Sequence, residues 1–127
     1  MREAGTPKAV EQFRIDEDRP REGTVVLALH GEADLHVAGE LRDRLSTAID
    51  AGASSLILDL SAVTFVDSMT LGVLVGGTKR IRTAGGQMRL VVPRPEIRRI
   101  FEVTLLDQVF PLDATREDAL AAARASS

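Results

Sequence analysis

The sequence predicts a single α/β domain with a mixed, mostly parallel sheet and packed helices, in the order β-β-α-β-α-β-α-β-α. Three observations predict it. Short apolar runs alternate with stretches of helical periodicity, and strands alternating with helices imply a largely parallel sheet with right-handed crossovers. The segment SLILDLSAVTFVDSMTLGVLVGGTKRIRTAGG, residues 55–86, passes from an apolar strand through a short polar corner into a long helix. Finally, 127 residues with 44% hydrophobic and 28% charged content make one core but not two.

Taken in order, residues 1–10 are small, charged and Pro-interrupted, which predicts a flexible N-terminus before a domain at 11–124. Residues 11–15 form a short strand. The run DEDRPREG at 16–23 is too polar for anything but a loop, so residues 24–29 pair back as an antiparallel hairpin. Val37, Leu41, Leu45, Ala48 and Ile49 mark a helix face, with Asp34 or His36 near its start and Gly52 as the C-cap.

Residues 55–60 are almost continuously apolar, as suits a strand buried on both faces. After a corner at 65–68, the apolar residues Leu71, Leu74, Val75 and Ile81, with Thr78 between, share the spacing of one helix face. Gly72, Gly76 and Gly77 each cost that helix roughly 1 kcal/mol of propensity, which points to a close approach of its backbone to the sheet. Gly85 and Gly86 end it.

Residues 88–92 form another buried strand, stopped by Pro93. Pro95 opens a helix with Ile97, Ile100, Phe101 and Leu105 on one face. Residues 109–112 read as a short strand that Pro111 confines to an edge. The Ala-rich run 114–123 is a terminal helix, with Asp113 or Thr115 near its start and Leu120 as its main apolar contact.

Composition excludes several kinds of chemistry. There is no cysteine, so thiol catalysis, disulfides and thiolate metal sites are ruled out. A formal charge of -3 argues for no nucleic-acid partner, and no tyrosine or tryptophan is present to stack bases. The basic residues Lys79, Arg80, Arg82, Arg89, Arg94, Arg98 and Arg99 read as a solvated face. No apolar run approaches the ~20 residues that span a bilayer, and no signal-peptide core is present, so the expected address is the cytoplasm.

The signs of an enzyme are few. His30 and His36, the two histidines, have no partner at metal-ligand spacing. Ser68 has no glycine elbow and no evident base, and no phosphate-cradling glycine loop follows the first strands. The chain is expected to be no enzyme, with no cofactor, no metal and no small-molecule substrate. Asp34, Asp59 and Asp67 at strand ends raise a phosphoacceptor receiver as an alternative. That pattern is incomplete, because no acidic pair follows the first strand and no lysine ends the last. At the corner, Asp67 or Ser68 reads first as a helix cap beside unpaired backbone N–H groups.

At these residues the sequence resembles a STAS domain, and within that class the bacterial anti-sigma factor antagonists. The resemblance covers about 13–120. It rests on Gly31-Glu32-Ala33-Asp34, similar to the family's Gly-Glu-x-Asp turn, on LILDLSAVTFVDS, and on the helix entry Leu71-Gly72-Val73-Leu74. It implies a protein that binds an anti-sigma factor, often a serine kinase, and so releases the sigma factor held there. The partner would dock through Glu32, Asp34, Asp67, Ser68, Met69, Thr70 and Leu71. A STAS subunit of another signalling or transport assembly is the alternative.

The resemblance also exposes a departure. Such proteins commonly read Asp-Ser-Ser/Thr-Gly at the corner and are phosphorylated at the third position. Here the matching residues are Asp67, Ser68, Met69 and Thr70. Met69 has no hydroxyl, so the usual switch cannot operate there, and Ser68 and Thr70 are left as the candidate secondary acceptors. With the side chain of Ser68 folded into a cap, Met69 is expected to point outward into the contact surface.

Overall fold

A computed structural model describes residues 13–33 and 35–125 of the chain. The expected flexible segment 1–10 lies outside them, as does Asp34. The elements are β1 (Arg14–Arg21), β2 (Thr24–Ala33), α1 (Leu35–Asp50), β3 (Ser55–Val66), α2 (Ser68–Thr83), β4 (Gln87–Val91), α3 (Pro95–Val103), β5 (Leu112–Asp113) and α4 (Arg116–Ala125). A short 3-10 turn at Leu106–Gln108 precedes β5. The sheet order is β1-β2-β3-β4-β5, with β1 antiparallel to β2 and every other pair parallel. This is the predicted order of elements.

The period of the strands divides the molecule into layers. Val25, Leu27 and Leu29 of β2, Leu56, Leu58 and Leu60 of β3, and Met88 and Leu90 of β4 point to one side. There they meet Leu41 and Leu45 of α1, Leu74 and Ile81 of α2, and Ile97 and Phe101 of α3. The alternate residues Val26, Ile57 and Val91 point to the other side and pack on Ala119 of α4. The expectation that β3 is buried on both faces follows from this double covering. Burying each such Leu or Ile side chain contributes about 1.5–3 kcal/mol, so these residues dominate the stability of the fold.

Several boundaries differ from those expected. The polar run 16–23 is mostly strand: β1 extends to Arg21, and its register against β2 slips only between Asp18 and Arg21, the interval that holds Pro20. An edge strand needs hydrogen bonds on one side only, and its exposed faces tolerate DEDR. The expected strand at 109–112 shrinks to two residues, because Pro111 offers β4 a carbonyl but no N–H: Leu90 N–H donates to Pro111 O at 3.0 Å. β5 is at the edge, as Pro111 predicted.

Leu105 leaves the expected helix face. α3 has already ended, and Leu105 is left-handed at φ 61° and exposed. The caps agree better with expectation. Gly52 closes α1 with a φ of +95°, and Thr115 Oγ1 accepts from Asp118 N–H at 3.0 Å at the start of α4.

Only one of the three α2 glycines is required by close packing, and it faces a helix as much as the sheet. A Cβ on Gly77 would lie 3.0 Å from Leu45 Cδ1 of α1 and 3.1 Å from Met88 Cε of β4. A Cβ on Gly72 or Gly76 would meet nothing within 4 Å.

Candidate functional site

The corner is built around one carbonyl. Ala33, the last residue of β2, stands in register with Val66, the last of β3. Its oxygen accepts from the Asp67 N–H at 3.1 Å and from the Thr70 hydroxyl at 3.0 Å. Asp67 is the N-cap of α2: its backbone is extended, and its Oδ1 accepts from the Thr70 N–H at 2.9 Å. One short sequence thus joins two strand ends to a helix start and gives partners to donors that would otherwise be orphaned.

This arrangement sorts the expected site residues. Asp67 is half-buried and acts as the cap, so Ser68 is released from that role and is exposed in the first turn. Met69 projects outward, as expected, and is 49% exposed. Thr70 is buried with its hydroxyl donated to Ala33, so it presents neither a contact surface nor an acceptor hydroxyl. Leu71 is half-buried and packs against the core. Glu32 is exposed beside the corner, whereas Asp34 falls outside the described residues.

One surface residue was missed. Phe65 is 47% exposed and stands in register with Glu32. The alternation set by Leu56, Leu58 and Leu60 is interrupted by two register slips against β2, between Ala28 and His30 and between Gly31 and Glu32, so that Val63 and Val66 are both buried and Phe65 between them is exposed. The paired aromatic and apolar residues of TFVDSM were the available signal. Four exposed residues thus flank the capped helix start, Glu32 and Phe65 paired at the strand ends and Ser68 and Met69 in the first turn of α2.

Of the aspartates of the receiver alternative, the described Asp59 and Asp67 are not gathered. Asp59 lies in mid-strand, eight residues before Asp67, or roughly 25 Å of extended chain. Arg116 holds it with two bonds at 3.1 and 2.9 Å, and the Ser61 N–H and hydroxyl donate to its other oxygen. Burial alone would push the Asp59 carboxyl up, but the Ser61 and Arg116 donors outweigh it and hold the group below the usual carboxylate range. His30 pairs with Asp16 at 3.1 Å on the same side of the sheet.

Among the described residues, no cluster of three or more His, Asp or Glu side chains could hold a metal ion. Several of the basic residues have local partners: Arg80 with Asp50, Arg89 with Asp113 and Arg94 with Glu96. No described helix is long and apolar enough to cross a membrane.

A five-stranded sheet covered by helices on both sides, with a capped helix start at the paired ends of β2 and β3, is the frame in which the corner sits. The STAS domain model matches residues 17–119, and the chain belongs to that family. It is 33% identical over 98 residues, 76% of this chain and 83% of the other, to an anti-sigma F factor antagonist from Lysinibacillus sphaericus. An anti-sigma factor antagonist from Mycobacterium paratuberculosis superposes with a TM-score of 0.81 at 30% identity, covering 90% of this chain and 96% of that one. The antagonist SpoIIAA in its unphosphorylated form gives 0.78 at 30% identity, covering 88% and 97%. The phosphorylated form of Bacillus SpoIIAA gives 0.70, also at 30% identity, covering 85% and 97%.

Proposed function

We propose that this chain is an anti-sigma factor antagonist that works by binding, without catalysis, and releases a sigma factor by occupying the anti-sigma factor. The partner is of the serine-kinase type and the setting is the cytoplasm. The observation that carries the reading is the set of exposed residues at the corner, Glu32 and Phe65 at the strand ends and Ser68 and Met69 on the helix start, which hydrogen bonds from Thr70 fasten to Asp67 and Ala33. A preorganised surface with two exposed apolar side chains binds with little ordering cost. The antagonist relatives supply the class of partner.

Regulation differs from the pattern that the resemblance implies. Met69 occupies the acceptor position, Thr70 is buried, and Ser68 is the one exposed hydroxyl of the corner. Binding is therefore constitutive at Met69, and any phosphorylation falls on Ser68.

The test is a pull-down from the native cell with the whole chain as bait. Recovery of an ATP-binding anti-sigma factor, lost with Met69→Glu, supports the reading. Recovery of transporter subunits alone, or of no anti-sigma factor, overturns it.

A further inference from the structure

A half-open groove of about 450 Å³ runs between α1 and α2, ending at the corner. Leu45, Val73 and Met69 give it apolar walls, and Gly72 and Gly76 leave part of its floor as bare helix backbone. This volume lies within the range of sites for small organic ligands, which are mostly apolar with a few placed polar groups. Here the polar groups are cationic or neutral. Arg42 and Arg80 stand along the groove, and among the described residues no acidic one lines it.

The two arginines are not equivalent. Arg80 is engaged, donating to Ser46 Oγ at 2.6 Å and Asp50 Oδ1 at 3.1 Å. Arg42 is exposed and has no hydrogen-bond or ion-pair partner among the described residues. An apolar trough beside an uncompensated guanidinium is complementary to a ligand with an apolar body and one acidic head.

We infer that the α1–α2 groove is a binding site for a small anionic amphiphile, whose apolar body lies over Gly72 and Gly76 and whose acid head pairs with Arg42. The ligand is held and not turned over. Because Ser68 and Met69 line the same groove, an occupant covers part of the patch assigned above to the partner. That last consequence rests on the proposed antagonist function; the binding site itself does not.

The probe is anilinonaphthalene sulfonate, an anionic aromatic amphiphile, set against phenylnaphthylamine, the same rings without the acid. Fluorescence titration of the folded wild type should show one saturable site for the sulfonate. Gly76→Leu, which places a side chain where nothing stands within 4 Å, should abolish that site while thermal unfolding stays at or above the wild-type midpoint. Arg42→Glu should weaken the sulfonate about tenfold or more and leave the uncharged analogue unchanged.

No saturable site in the wild type, or sulfonate binding unaltered in Gly76→Leu, overturns the inference. Equal effects of Arg42→Glu on both dyes also overturn it. Should Gly76→Leu fail to fold, the exposed Arg42→Glu variant decides alone. None of these measurements needs the anti-sigma partner, so a failed groove and a failed antagonist reading are told apart.

Discussion

The hydroxyl of Thr70 donates to the carbonyl of Ala33 at 3.0 Å, fastening the first turn of α2 to the end of β2 thirty-seven residues earlier in the chain. The strand end Gly31–Ala33 and the Asp67-Ser68 corner, far apart in sequence, are thereby joined. Thr70→Val keeps the shape and removes the bond. It should lower stability by about 1 kcal/mol, read as a shift in the urea unfolding midpoint at unchanged slope. A partner kinase supplied with ATP should leave Thr70 unmodified by mass spectrometry, because its hydroxyl is buried and already donated.

The adjacent glycines of α2 should respond in opposite directions. Gly77→Leu forces a side chain against Leu45 and Met88 and should cost about 1–3 kcal/mol by overpacking. Gly76→Leu enters open space and exchanges a poor helix former for a good one, so it should be neutral or stabilise by up to about 1 kcal/mol. Thermal unfolding of the two variants side by side checks this. Equal destabilisation would mean that the groove over Gly76 is closed in solution.

Arg116 donates from Nε and Nη2 to the same oxygen, Oδ2, of Asp59 and so ties α4 to the middle of the sheet. The Asp59 carboxyl is depressed in the folded protein, so its contribution is fully present above the ordinary carboxylate range and is lost as pH falls through the depressed folded value. Arg116→Ala should therefore destabilise at neutral pH by about 1–3 kcal/mol. The variant should also lose less stability than wild type between neutrality and about pH 3. Denaturant titrations at several pH values measure both effects; parallel curves for the two proteins would show that Arg116 does not hold the Asp59 charge.

The parts of the molecule most legible in its sequence were those where one face is buried and period alone decides. Leu56, Leu58 and Leu60 against Ile57, or Ile97 against Phe101, could be read directly from spacing. β1 was hidden because its backbone needs a partner on one side only, so its side chains carry no apolar signature. The exposure of Phe65 was not legible, because it depends on two register slips that no composition rule reveals. At the corner, the outward Met69 was legible from helix geometry. The choice of Asp67 over Ser68 as cap was open, since both residue types serve, and the burial of Thr70 depended on a carbonyl far away in sequence. The groove between α1 and α2 arises from the pairing of two helices, and neither helix announces it alone.

Met69 offers the most direct test of regulation. It is 49% exposed, one residue past an exposed serine and two past the aspartate that caps the helix. A flexible, polarizable thioether packs against a partner without demanding one shape, and as an exposed apolar residue it gains most from being covered. Met69→Glu adds a charge that a docked partner must desolvate, while the free domain keeps it in water beside the positive end of α2. Affinity for the anti-sigma factor should therefore fall by more than about tenfold in titration calorimetry, with the thermal midpoint of the free protein unchanged or slightly raised. Met69→Ser restores a hydroxyl at an exposed position on the same rigid turn, and a kinase-competent partner with ATP should phosphorylate it. Phosphorylation adds about -1.5 to -2 charges and should release the complex more completely than Met69→Glu does. Wild type in the same incubation discriminates two forms of control. An unmodified wild type that stays bound marks an antagonist freed from the phosphorylation brake. Modification of Ser68 with loss of binding marks a switch that has moved by one residue. Undiminished affinity of Met69→Glu removes the corner from the interface.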